Sequence, residues 1–86
     1  MSAPRLKPGV RLHRDRVRGR DVLLAPERVV ALDETAFAVL KLIDGETSLS
    51  AIAAALAADY DADANEIEAD AAALIGDLAL KGYVSP

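Results

Sequence analysis

The chain has 86 residues, room for one domain with one core, and contains no cysteine, so disulfides, thiolate metal sites, iron–sulfur ligation and cysteine nucleophiles are excluded. It is 52% hydrophobic with one Phe, two Tyr and no Trp, which gives an aliphatic core and is too apolar for a disordered chain despite a net charge of −4. The single histidine excludes a polyhistidine metal site within one chain, and the longest apolar run, residues 51–58, is far shorter than the roughly 18 residues of a spanning helix.

Residues 1–9 read as a flexible arm, because Pro4, Pro8 and Gly9 oppose helix and regular ladder pairing. The two basic residues and two prolines of the first ten positions surround no apolar stretch, so a signal peptide is not expected. A single folded domain is expected over residues 10–86. It opens with a period of two, Val10, Leu12 and Val17 being the apolar positions among Arg11, Arg14, Arg16 and Arg18. Gly19 suits a hairpin tip, and a second strand follows over residues 21–25 with the run Val22, Leu23, Leu24. Pro26-Glu27 makes a tight turn into a third strand over residues 28–32. Val29, Val30, Ala31 and Leu32 leave neither face of that strand polar, which predicts cover on both.

At Asp33, an N-cap, the period changes to that of a helix carrying Ala36, Phe37, Leu40 and Ile43 on one face and ending at Asp44-Gly45. Ser48 caps a second helix with the stripe Leu49, Ile52, Leu56 and Tyr60. Asp63 with Glu66 is a capping-box variant opening a third helix, whose stripe is Ile67, Ala71, Leu74 and Leu78 with Ile75 beside it, and Gly82 terminates it. Three strands followed by three helices predict an α+β domain of the winged helix-turn-helix type, a three-stranded antiparallel meander beside a helical trio.

Catalytic and metal-binding constellations fail on inspection. His13 has no nucleophile signature near it and reads as solvent-facing. Asp59, Asp61 and Asp63 alternate like a calcium loop, but positions six and twelve of that count are Ala64 and Asp70 where Gly and Glu are required. The glycines never cluster into a phosphate cradle. Ser48 follows Thr47 rather than Asp, and the basic β-rich N-terminus does not fit a four-helix acyl carrier, so Ser48 is a cap. No cofactor is expected.

Charge is unevenly divided. Residues 1–28 hold eight basic residues against three acids, and residues 29–86 hold two against eleven. The basic strands either face the acidic helices or water, or meet a partner. The helix that would read DNA in a winged helix carries Glu66, Glu68, Asp70 and Asp77 against Lys81 alone. It would repel phosphates, and no aromatics alternate with the arginines for base stacking, so nucleic-acid binding is not expected.

The third strand, Arg28 to Leu32, ends the meander as an edge without internal charge, proline or bulge. Such an edge suits addition of an extended peptide as a further strand; cover by the domain's own arm or by a second copy is the competing account. The short turn at Pro26-Glu27 and the few residues before the first helix also favour strand exchange, which predicts a monomer able to form a homodimer.

The sequence resembles the pyrroloquinoline quinone biosynthesis peptide chaperones, the PqqD family, which are recognition elements for the precursors of ribosomally made, modified peptides. The resemblance spans residues 4–84. It is carried by Pro8-Gly9-Val10-Arg11, Arg18-Gly19-Arg20, Leu23-Leu24-Ala25-Pro26-Glu27, Leu32-Asp33, Leu40, Asp44-Gly45, Ile52, Leu56, Tyr60, Asp70, Leu78 and Gly82. Ala51 departs from it, since these proteins often carry Glu there, and only a capping box with Ser48 is lost. The absence of cysteine fits a reducing cytoplasm, and the resemblance implies a non-enzymatic protein. It implies binding of a short precursor peptide and its presentation to a radical S-adenosylmethionine enzyme that cross-links Glu and Tyr. A recognition element for a different modified peptide is the first alternative, and a neighbouring gene for a peptide containing Glu-x-x-x-Tyr decides between them; a winged-helix DNA-binding regulator is a weaker one, tested by gel shift across salt concentrations. The family also implies that the peptide lies along the third strand against the third helix. That adds Glu68, Ala71, Ala72, Ile75 and Ala79 to the strand residues Arg28, Val29, Val30, Ala31 and Leu32, with Ile75 and Ala79 at the surface beside the sheet.

Overall fold

The computed structural model describes residues 3–86. The chain begins with a two-residue strand, β1 (Arg5–Leu6), and continues into β2 (Arg11–Asp15), β3 (Arg20–Ala25) and β4 (Arg28–Leu32). Three helices follow, α1 (Glu34–Leu42), α2 (Leu49–Tyr60) and α3 (Ala64–Leu80), and then a last short strand, β5 (Val84–Ser85). The meander is a three-stranded sheet in the order β2-β3-β4, with Leu12 opposite Leu23 and Leu23 opposite Val30. This is the α+β winged-helix-like architecture that the change of period at Asp33 predicts.

The arm is the first departure. Residues 1 and 2 of the segment 1–9 lie outside the described residues, but Arg5–Leu6 pairs antiparallel with Val84–Ser85 in a separate two-stranded sheet. Lys7 N–H donates to the Tyr83 carbonyl at 3.0 Å and Gly45 N–H to that of Pro4 at 2.9 Å. Pro4 and Pro8 restrict the ladder to a few bonds without preventing it. β5 was illegible because it is two residues long, too short to show a period; its Val84 is nonetheless buried in the core.

The hairpin tip is the second departure. β2 stops at Asp15, whose Oδ1 accepts from Val17 N–H and Arg18 N–H, both at 3.1 Å. This Asx turn draws residues 16–19 out of the ladder, and Val17, expected as an apolar strand position, is 96% exposed.

One face of the sheet packs on the helices. Leu23, Val39, Leu40, Ile52, Leu56, Ala71, Ile75 and Leu78 form the buried centre, with Leu12, Val30 and Leu32 against it. Tyr60, expected on the α2 stripe, lies outside this core, because it is the last helical residue before Asp61 turns the chain through a left-handed conformation (φ 52°). Arg14 also contributes: its guanidinium lies 4.7 Å from the centre of the Phe37 ring and bonds the Asp21 carboxylate at 2.9 Å. The hairpin's other ion pair, Arg18 with Asp15, is likewise internal. Among the described residues no ion pair joins the basic hairpin to the acidic helices. The two charges of opposite sign remain separate surfaces.

The helix starts follow the expected caps. Asp33 Oδ1 accepts from Ala36 N–H at 2.7 Å and Ser48 Oγ from Ala51 N–H at 3.1 Å. Asp63 caps through Asn65 N–H at 2.8 Å, and no hydrogen bond returns from Glu66 to close the expected box. α3 ends in a Schellman motif, with Tyr83 N–H on the Leu78 carbonyl, Gly82 N–H on that of Ala79 and Gly82 at φ 85°. That reversal aims β5 back at β1.

α1 ends a little earlier than its sequence pattern, at Leu42, and Asp44 organises the turn that follows. Its Oδ1 accepts from Glu46 N–H at 2.9 Å and Thr47 N–H at 2.7 Å, while Oδ2 accepts from the Thr47 hydroxyl at 3.0 Å. The Glu46 amide first, then the Thr47 amide and hydroxyl, hold the Asp44 carboxyl below its ordinary value of 3.8. A folded-state value below the unfolded one means that the turn is stabilised above the ordinary carboxylate range and loses this contribution as pH falls through the folded value. The urea midpoint should therefore fall on acidification below about pH 4, and Asp44→Asn, which keeps an acceptor but cannot titrate, should show a shallower fall. Identical profiles for both proteins would remove Asp44 from the acid response.

Candidate functional site

The geometry of β4 decides what its edge offers. β4 pairs only with β3 among the described residues, and β1 pairs with β5, so the chain's own arm does not occupy that edge. Ala25 and Arg28 close a two-residue hairpin. In such a hairpin the closing pair exchanges hydrogen bonds and successive pairs alternate. Arg28, Val30 and Leu32 therefore direct their backbone groups to β3, and Val29 and Ala31 direct theirs to the open edge.

The side chains alternate too. Val30 and Leu32 are half-buried toward the core, whereas Arg28, Val29 and Ala31 are exposed, Val29 at 63%. The expectation that both faces of this strand are covered is thus corrected: on its outer face Val29 and Ala31 are exposed. Val29 and Ala31 present an apolar outer face together with free donors and acceptors, the combination that accepts another strand.

At its Leu32 end the strand runs directly into a groove. Asp33, Thr35, Ala36 and Val39 line it from the α1 side, and Asp70, Ala71 and Leu74 from α3, around a volume of about 260 Å³. Leu74 and Asp70 are one turn apart on α3 and so share a flank. Asp33 Oδ1 is engaged by the Ala36 amide, whereas the Asp70 carboxylate has no hydrogen-bond or ion-pair partner among the described residues.

The residues expected on α3 are divided by this geometry. Ala71 is buried and forms part of the groove lining. Ile75, expected at the surface, is 4% exposed and packs in the core, because its position on the helix follows Ala71 by one turn on the buried face. Glu68 and Ala79 are half-buried and Ala72 is exposed. At about 3.6 residues per turn these three lie on the flank of α3 away from Asp70 and Leu74. None of the three lines the groove. Asp77, another acid of this helix, is engaged by Lys81 at 3.0 Å. Sequence reasoning did not place Asp33, Thr35, Ala36, Val39, Asp70 or Leu74 at a site. Asp33 and Asp70 carry part of the family resemblance, which was the available signal.

No helix among the described residues is long and apolar enough to cross a membrane. Taken together, an open apolar strand edge leading into a groove between two helices defines a small winged-helix-like domain. Comparison with known proteins identifies which such domain it is. The chain belongs to the PqqD family: the family model "Coenzyme PQQ synthesis protein D (PqqD)" matches residues 21–84. It is 55% identical over 80 residues to the PqqA binding protein of Xanthomonas oryzae pv. oryzae, covering 93% of this chain and 87% of that one. It is 54% identical over 78 residues to the bifunctional coenzyme PQQ synthesis protein C/D of Methylorubrum extorquens, covering 91% of this chain and 21% of that longer one.

Two solved structures share the fold. The solution NMR structure of the PqqD truncation of Methylobacterium extorquens PqqCD, described as a functional, stand-alone recognition element, matches with a TM-score of 0.87 at 50% identity. It covers 98% of this chain and 89% of that one. The crystal structure of PqqD from Xanthomonas campestris matches with a TM-score of 0.62 at 53% identity, covering 87% of this chain and 83% of that one.

Proposed function

We propose that this chain is a peptide chaperone of pyrroloquinoline quinone biosynthesis. It binds the ribosomally made precursor peptide by strand addition along β4 and presents it, extended, to a radical S-adenosylmethionine enzyme that cross-links a Glu and a Tyr. The single observation that carries the mode of binding is the open edge of β4, with the Val29 and Ala31 backbone groups outward. The relatives named PqqA binding protein support the identity of the peptide. The chemistry belongs to the partner enzyme; this chain contributes backbone hydrogen bonds for affinity and side-chain contacts for choice of peptide.

The same edge governs assembly. The chain is a monomer in dilute solution and forms a homodimer at high concentration through edge pairing or strand exchange, so peptide and second copy compete for β4. Analytical ultracentrifugation with calorimetry, using a synthetic precursor peptide containing Glu-x-x-x-Tyr, tests both statements. Stoichiometric binding with a shift of the population toward monomer is expected. Absence of binding by the monomer overturns the chaperone reading, and a dimer that binds peptide fully without dissociating separates the two surfaces.

A further inference from the structure

The groove at the end of β4 has a chemistry of its own. Its walls contain the apolar side chains of Ala36, Val39, Ala71 and Leu74, and it holds two carboxylates, Asp33 and Asp70, with no basic residue. Among the described residues nothing neutralises Asp70, and Asp33 keeps one oxygen beyond its capping bond. The α1 N-terminus nearby contributes roughly half a positive charge, less than the two carboxylates supply. An apolar trough with acids and no base fits a side chain that is apolar along its stem and cationic at its tip, which describes Lys and Arg. The opposite end of β4 carries the exposed cation Arg28, which makes the Asp33 end the one that favours a cation.

Resting on the strand-addition reading above, we infer that the α1–α3 groove receives a Lys or Arg side chain of the bound peptide, its stem against Ala36 and Leu74 above the buried Val39 and Ala71 and its charge between Asp33 and Asp70. This anchor sets which residues of the peptide pair with β4, because an extended strand advances only about 3.3 Å per residue and the groove lies at one end of the edge. It also selects against precursors with an acid at that position, which would meet two like charges. The groove is thus a specificity pocket, and the β4 edge supplies sequence-independent affinity.

The test is a charge exchange across the interface. Fluorescence anisotropy of the labelled precursor peptide is measured against the wild-type chain, Asp70→Asn and Asp70→Lys. The peptide is used as such and with each Lys or Arg changed in turn to Gln and to Glu. Asp70 is on the exposed flank of α3 and caps no helix, so both variants should fold, and circular dichroism checks this. Asp70→Asn should weaken binding about fivefold at low salt, with less loss at high salt, as expected for a partly solvated pair. Asp70→Lys should weaken it more, and one peptide cation alone, changed to Glu, should restore affinity to that variant. Loss of less than twofold in Asp70→Lys, or no peptide position that couples to it, overturns the assignment. If β4 amides still respond to peptide in that case, strand addition survives without the anchor; if the wild-type chain does not bind the peptide, both readings fall together.

Discussion

Replacing Ala31 with proline should leave the domain folded and weaken precursor binding by about 10- to 100-fold. Position 31 directs its backbone N–H to the open edge, where proline is tolerated because no ladder bond within the domain is lost. The peptide then finds one donor missing and one of its own acceptors unsatisfied, a loss of about 1–3 kcal/mol. Val30→Pro should behave differently. Its N–H serves β3 opposite Leu23 and its side chain packs toward the core, so the domain itself should lose about 2–4 kcal/mol. Calorimetric titration for the first variant and urea unfolding for both separate these outcomes. A larger stability loss in Ala31→Pro than in Val30→Pro would show that the assignment of outward and inward positions along β4 is reversed, and unchanged binding by a folded Ala31→Pro would contradict strand addition there.

Leu23→Ala should have the largest effect on stability. Leu23 is completely buried at the centre of β3, opposite both Leu12 and Val30, where the sheet meets the helices. Truncation removes its transfer free energy and leaves a cavity, together about 2–5 kcal/mol. Domains of this size have total stabilities near the lower end of about 5–15 kcal/mol, so the variant should be marginal at 37 °C. Because among the described residues β4 is held in place only by β3 and the packing beneath it, peptide binding should weaken in step with the unfolded fraction and recover on cooling to the range of maximum stability. A loss below about 1 kcal/mol would mean that the sheet does not depend on this contact.

The main architecture was legible because local signals and packing agree. The alternating pattern around Leu12 and Leu23, the turn at Pro26-Glu27 and the change of period at Asp33 all point to the same meander and helices. What was hidden lay where local pattern carries little information. Val17 looks like a strand residue until the Asp15 side chain takes its amide. β1 and β5 are two residues each and exist only because the Schellman turn at Gly82 brings one terminus to the other. The open β4 edge could be read from its sequence, but whether the arm covered it could not, since that depends on where β5 lies.

The site divides in the same way. Arg28 to Leu32 could be located as an unprotected edge from the strand order and the uninterrupted apolar run, whereas inward and outward positions required the register. On α3 the apolar stripe gives the buried face but not which flank borders a groove. Ile75 consequently belongs to the core, and Asp70 and Leu74 to the groove beside Asp33. Asp33 was readable only as a cap; its second position, at the junction of strand edge and groove, is a property of the folded chain.

Amide hydrogen exchange along β4, with and without the precursor peptide, tests strand addition most directly. In the free protein the Val30 and Leu32 amides should be protected by their bonds to β3, while the Val29 and Ala31 amides exchange quickly. Saturating peptide should slow Val29 and Ala31 together and leave the amides of Arg11–Asp15 unchanged. Protection confined to Arg11–Asp15, or peptide binding with Val29 and Ala31 still exchanging freely, would contradict strand addition at β4.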